Sequence, residues 1–216
     1  MPTTSHNRIP TASPSTSLHI STIVYGRENT DGRVTYLLDP KGQGTEREIP
    51  EGVVLRRWRA RKVAGYRFGG DRLPPSTFRA LPFVLGEDVA AWAGLSEPAI
   101  AERQVAATER LRADHLNVPA ANAILAIIAH CGVGRLQQLV ERHANPDRWA
   151  SPGVPDLFLY AWEVETRRVI GRFVEVKRPK KDERLSRSQV AELAFLRGLG
   201  LKARELRLIE RGSVAK

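Results

Sequence analysis

Asp156, Glu175 and Lys177 are the residues whose types and spacing suit a reaction. They stand in two short stretches, G-V-P-D-L-F-L-Y at 153–160 and V-I-G-R-F-V-E-V-K-R-P at 169–179. Residues 157–162 are apolar and aromatic, residues 169–176 are rich in β-branched side chains, and both predict strands. The polar segment 163–168 between them predicts a hairpin turn centred between Glu165 and Thr166. Pairing about that centre sets Asp156 opposite Glu175 and Phe158 opposite Phe173. Side chains alternate along a strand, so Lys177 shares a face with Glu175. Two carboxylates and an ammonium are therefore expected on one patch of sheet.

An exposed charged hairpin is the bland account of such a patch. Here, however, the charges lie within apolar strands, where each costs free energy unless it is used. Carboxylate oxygens suit a hard divalent cation such as Mg²⁺, which takes few protein ligands and keeps several waters. Such a cation lowers the pKa of a water and neutralises charge on a phosphate. A neighbouring lysine stabilises the extra negative charge of a transition state. The expected chemistry is hydrolysis of a phosphate ester.

The G-x-P-D-L strand, F-V-E-V-K-R-P, the D-E-R-L-S that follows and the helix opening S-x-x-Q resemble the VRR-NUC family of PD-(D/E)xK nucleases over residues 153–210. The likeness is greatest to the Fanconi-associated nuclease group, which cuts branched and flapped DNA. The resemblance implies metal ligands at Asp156 and Glu175, with the backbone carbonyl of Val176 as a third. It also implies a catalytic lysine at Lys177, an active-site glutamine at Gln189 and Mg²⁺ or Mn²⁺ as cofactor. Ser186 and Gln189 also form a capping-box pattern, which accounts for the glutamine structurally. Related nucleases carry a further acidic residue on a helix well upstream. E-G at 51–52, followed later by P-S-T-F-R-A-L-P-F, looks similar to that region and implies Glu51 as a metal ligand. Glu102 and Glu109 are its rivals. Two departures from the family pattern stand out: the 178–184 loop is longer than usual, and Glu192 occupies a place where the family often has tryptophan.

The elements that must position these residues follow from the rest of the chain. Its 216 residues suffice for one good core. At 27% charged and 42% hydrophobic residues the composition is ordinary for a globular protein. The apolar run 120–129 is too short to span a bilayer. No apolar signal-peptide core opens the chain, so a cytoplasmic location is expected. Cys131 is the single cysteine, which excludes an internal disulfide and any cysteine cluster for zinc. The five histidines are scattered without ligand spacing. A net charge of +10 and a pI near 10.3 favour a polyanionic partner, here DNA. Arginine outnumbers lysine 27 to 7, and its fork suits phosphate.

Residues 1–17, rich in Ser, Thr and Pro, are expected to lack fixed structure. Two strands, 18–25 and 33–38, are expected around a turn at 26–32, making an N-terminal β-hairpin lobe over 18–49. A basic amphipathic helix is expected over 51–67, then a Gly/Pro-rich break over 69–82. Helices are expected over 97–116, 120–131 and 134–143, so that 50–150 forms a helical segment packed on a catalytic core at 151–216. Arg178, Lys180, Lys181, Arg184 and Arg187 form the densest basic cluster and are expected to contact DNA. The helix opening at Ser186 and a strand over 203–209 complete a restriction-endonuclease-like α/β core, a mixed sheet flanked by helices. The expected activity is divalent-metal-dependent DNA cleavage, and a DNA-binding module of the same fold without turnover is the alternative. The resemblance also implies a role as an antibacterial effector, countered by a small acidic immunity protein, and the compact basic chain is consistent with that expectation.

Overall fold

The computed structural model describes residues 23–24, 27–30, 33–37, 47–86, 88–179 and 183–210. Four short strands open it: β1 (Ile23–Val24), β2 (Arg27–Thr30), β3 (Arg33–Leu37) and β4 (Arg47–Glu48). Then come α1 (Pro50–Arg59), β5 (Tyr66–Arg72), α2 (Thr77–Leu85), a 3-10 turn at Val89–Gly94, α3 (Glu97–Ala113), α4 (Ala121–Cys131) and α5 (Val133–Ala144). The chain closes with β6 (Leu157–Glu163), β7 (Val169–Lys177), α6 (Arg187–Gly198), β8 (Ala203–Arg207) and β9 (Ile209–Glu210).

The central sheet runs in the order β5-β6-β7-β8. The first two pairings are antiparallel and the third, across the α6 crossover, is parallel. This is the mixed α/β sheet flanked by helices that the sequence predicts. Phe158 pairs with Phe173, so the hairpin register deduced from the turn midpoint holds. Strand alternation then divides the core in two. Phe158, Tyr160 and Phe173 face the layer built from α2 to α6. Leu157, Leu159, Val174 and Val176 face α1 and Tyr36 of β3. Charged Glu175 and Lys177 therefore point to the same side as Phe173.

The α4 sequence A-N-A-I-L-A-I-I-A-H-C is apolar round most of its circumference, and Ile124, Ile127, Ile128 and Cys131 are buried. Burial pushes the Cys131 thiol up to about 12 and holds His130 down at about 4. Both are thereby neutral core groups, and His130 Nδ1 accepts a 3.2 Å bond from the Gly171 N–H.

Three expectations are corrected. The helix expected over 51–67 stops at Arg59, and Tyr66–Arg72 instead forms the sheet edge. All seven of its residues pair with Leu157–Glu163, and that long-range backbone pairing overrides local helical periodicity. The Trp58 indole N–H, shared between the carbonyls of Gly69 (2.7 Å) and Tyr160 (2.9 Å), staples α1 to the two strands. Second, the break expected over 69–82 is confined to 73–76. Gly69 lies in β5, where a Cβ would come within 2.4 Å of the Tyr160 ring, and Pro82 sits inside α2, held by the burial of Phe78, Leu81 and Leu85. Third, the N-terminal hairpin is not the one expected. Arg27–Thr30, assigned to the turn, is a strand paired with Arg33–Tyr36, and Ile23–Val24 pairs in parallel with Ile209–Glu210. Asp31-Gly32 separates the paired positions in sequence, and Asp-Gly between strands is itself a hairpin signal. The expectation for 1–17 lies outside the described residues.

Candidate active site

Where β6 begins, the sheet splays. The Asp156 carbonyl accepts from Leu73 N–H at 2.8 Å, while its carboxylate Oδ2 accepts from the Val176 N–H at 2.7 Å. A side chain thus replaces the backbone in the ladder to β7. The chain bends at Asp156, just ahead of Leu157 where β6 begins, and the carboxylate takes this N–H there. Asp156 is thereby locked beside Glu175, the residue that its register predicts.

Glu175 is buried in β7, and its Oε1 is held at 2.8 Å by the Lys177 ammonium. Gln189 joins them. Its Nε2 donates to Glu175 Oε1, while its Oε1 accepts from Lys177 Nζ (3.2 Å) and the Ser186 N–H (2.9 Å). The Ser186 hydroxyl in turn accepts from the Gln189 N–H, closing a capping box. Capping and contact with Glu175 occur in one arrangement: the cap fixes the side chain that reaches Glu175. Gly153 lets the incoming chain approach this helix start. A Cβ there would lie 2.4 Å from the Ser188 carbonyl oxygen, and its φ of +70° suits glycine.

The electrostatics are those of an incomplete site. Burial, then the charge of Glu175, pushes the Asp156 carboxyl up to about 7, against the opposing bond from Val176; Glu51 pushes it further. Burial also raises Glu175, although Lys177 opposes it through hydrogen bond and charge. Glu175 Oε2 is buried and has no hydrogen-bond partner, a costly condition for a carboxylate oxygen. A cation between the two carboxylates would relieve all three features, so the residues present fit a divalent metal. Among the described residues, no group of three His, Cys, Asp or Glu side chains stands at metal-ligating geometry. The carboxylate donors are thus the Asp156–Glu175 pair, a donor number that suits Mg²⁺ with retained waters.

Glu51, expected as a metal ligand, stands in the first turn of α1, and its charge adds to those that raise Asp156. Its rivals Glu102 and Glu109 lie exposed on α3 and are not among the charges that shift Asp156. Of the basic cluster, Arg178 pairs with Glu183 (3.3 Å), and Arg184 and Arg187 are exposed. Lys180 and Lys181 lie outside the described residues.

Sequence reasoning missed the anchor behind this site. Glu192, fully buried on α6, pairs with Arg142 Nε (2.8 Å), His143 Nε2 (2.8 Å) and Arg148 Nη2 (2.9 Å). Arg148 also donates to the Pro152 carbonyl, so one carboxylate ties α5 and the 148–152 segment to the helix that carries Gln189. The signal was present in the departure at Glu192, a charge where the resemblance implies tryptophan.

The charge crowding has a measurable consequence. Asp156→Asn preserves an oxygen for the Val176 N–H and removes the ionisation. A carboxyl raised to about 7 in the fold and near 4 when unfolded contributes stability below pH 4 that is lost as pH rises through 7. In chelator-treated protein the Asn variant is therefore expected to melt higher than wild type at pH 8, by about 2–4 °C per kcal/mol recovered. The difference should shrink to nothing near pH 4. Equal melting of the two proteins at pH 8 would show that burial and the Glu175 charge do not raise the Asp156 carboxyl.

The VRR-NUC domain model matches residues 92–207, which hold Asp156, Glu175, Lys177 and Gln189 but not Glu51. No curated protein matches the sequence. The solved structures that match the chain include two DNA complexes. One is a crystal structure of paFAN1 bound to 2nt 5′flap DNA with gap (17% identity, TM-score 0.45), covering 74% of this chain and 35% of that one. The other is paFAN1 bound to 1nt 5′flap DNA with gap (16% identity, TM-score 0.46), covering 78% of this chain and 36% of that one. The chain spans about a third of the length of these structures. With more than half of its residues matched by the domain model, the chain belongs to the VRR-NUC domain family.

Proposed function

We propose that the protein is a divalent-metal-dependent DNA nuclease of the PD-(D/E)xK type, hydrolysing phosphodiester bonds at the Asp156–Glu175–Lys177 centre. The observation that carries this reading is the unpartnered, buried Glu175 Oε2 beside a second carboxylate that burial and charge have raised to about 7. Membership of the VRR-NUC family and a net charge of +10 support DNA as the substrate. The resemblance to the Fanconi-associated nuclease group extends the proposal to branched or flapped DNA.

Asp156 and Glu175 would hold Mg²⁺ or Mn²⁺, with the carbonyl of Val176, next after Glu175 in sequence, as a third ligand and Glu51 as an outer acidic group. When bound, the cation lowers the pKa of an attacking water and neutralises charge on the phosphate. Lys177, fixed by Glu175 and Gln189, presents a positive charge where the phosphate gains negative charge. Gln189 orients both partners from a capped helix end and carries no charge of its own. Exposed Arg184 and Arg187 offer phosphate contacts beside the centre.

The test is nicking of a labelled duplex with Mg²⁺ or Mn²⁺ added to metal-stripped protein. Cleavage should require the metal and should vanish in Glu175→Ala. Metal-independent cleavage, or undiminished cleavage by the variant, would refute the mechanism.

A further inference from the structure

The side of the sheet that α1 covers carries three guanidinium groups around one indole. Arg61 and Arg172 each stand 5.4 Å from the Trp58 ring centre, and Arg61 stands 5.4 Å from that of Phe68 as well. Arg204 joins them through the strand register. It pairs with Val174, two residues after Arg172, and alternation puts Arg172 and Arg204 on the face that carries Val174 and Leu206. The indole is fixed, since its N–H is shared by the carbonyls of Gly69 and Tyr160. Its ring meets Phe68 edge to face at 5.1 Å.

Like charges gathered out of water are costly. Arg172 is buried, and Arg61 and Arg204 are half-buried. Burial, then the charges of Arg204 and Arg61, brings the Arg172 guanidinium down to about 10. The aromatic faces attract these cations but supply no counter-charge. The Nε–H groups of Arg61 and Arg204 are shut off from solvent and meet no acceptor, an expensive state for a charged donor. Among the described residues, no carboxylate forms an ion pair with either. Nothing in the chemistry proposed above employs the three arginines.

The cluster is separate from the carboxylates. Arg172 lies three residues before Glu175, roughly 10 Å back along the strand, and on the opposite face of the sheet. Trp58 stands seven residues after Glu51 in α1, about 10 Å away by helical rise.

Arginine presents its donors as a planar fork that matches the oxygens of a carboxylate or a phosphate. A carboxylate brings two oxygens and one charge. A phosphate group brings more acceptors and, when free, nearly two charges, so it can engage three forks at once. We infer that Arg61, Arg172 and Arg204, arranged around Trp58, form an oxyanion site for a phosphate group, distinct from the nuclease centre. Inorganic phosphate and the backbone of a DNA duplex share this chemistry, and experiment separates them. The inference does not depend on the nuclease reading.

The test titrates inorganic phosphate calorimetrically into the whole, metal-stripped chain in chloride buffer. Wild type should bind it saturably at a single site. The double variant Arg61→Gln, Arg204→Gln should bind about ten-fold or more weakly. Arg61→Lys keeps the charge and loses the fork, and should weaken binding about three-fold or more. That milder change decides the matter if the double variant does not fold. In a second arm, a blunt duplex with hydroxyl ends is bound by the same proteins over a range of salt. If the backbone is the source, the double variant should flatten the log–log salt slope by about two units, and the duplex should displace phosphate. An unchanged slope with phosphate binding intact would assign the site to free phosphate. An absence of saturable phosphate binding by wild type, together with an unchanged slope, would overturn the inference. Glutamate bound at this cluster as tightly as phosphate would overturn it too, because the site would then serve carboxylates.

Discussion

Lys177→Met is expected to lower the nicking rate about 10²- to 10³-fold, the usual cost of removing one preorganised charge from a transition-state site. The ammonium is buried and bonds Glu175 and Gln189, so the loss is of a fixed charge and not of a mobile one. Metal binding should survive, since Asp156 and Glu175 are untouched. The thermal shift produced by Mn²⁺ should therefore persist in the variant while turnover collapses. Retention of wild-type nicking would remove Lys177 from the mechanism. Loss of the Mn²⁺ shift together with turnover would show that the lysine shapes the carboxylate pair and is not a separate catalytic group. The comparison separates holding a cation from stabilising a phosphate, two tasks that the short E-V-K sequence places two residues apart.

Glu192→Ala is expected to have the largest effect on stability. It would strand Arg142, His143 and Arg148 around an empty buried position, and breaking one side of a buried ion network costs roughly 3–5 kcal/mol. The two arginines keep some contact with water, with side chains about a fifth to a quarter exposed, which places the loss near 3 kcal/mol. For a chain of this size that is a fall in melting temperature of roughly 10 °C. Burial alone would raise the Glu192 carboxyl, but His143 and Arg142 together hold it below its ordinary value. Its contribution is accordingly present above about pH 4 and lost as pH falls below that. Wild type and variant should converge in stability under acid conditions. A variant that melts within 2 °C of wild type, measured at pH 7, would mean that Arg142, His143 and Arg148 are satisfied without Glu192.

The cluster also explains how a polar departure from the family pattern is tolerated. A ring at this position would pack by area alone. The carboxylate binds three elements by direction, and Arg142 in turn lies 4.1 Å from the ring centre of Phe195. Helix α6 is thus tied both to α5 and to the segment that enters β6, and the relative placing of Gln189 and Asp156 depends on that tie.

The patch of two carboxylates and a lysine was legible in the chain because its parts are local. A turn midpoint determines a hairpin register, and register with alternation determines which side chains share a face. Asp156, Glu175 and Lys177 could therefore be assembled from two strands separated by one turn. Ser186 and Gln189, three residues apart at a helix start, were legible for the same reason. Helices α3 to α6 announced themselves through length and apolar spacing.

Only the tertiary structure decided what depends on partners distant in sequence. Tyr66–Arg72 reads as the end of a helix and the start of a loop until β6 offers it seven paired positions 85 to 97 residues away. Ile23 and Val24 find Ile209 and Glu210 from the opposite end of the chain. Glu51 could not be told from Glu102 or Glu109 by spacing, because the sequence does not say which helix start the fold brings within Coulombic reach of Asp156. The meeting of Glu192 with Arg142, His143 and Arg148 likewise needs α5 and α6 to be packed first. Local chemistry and turn geometry are encoded over a few residues; desolvation and long-range pairing exist only once the core has excluded water.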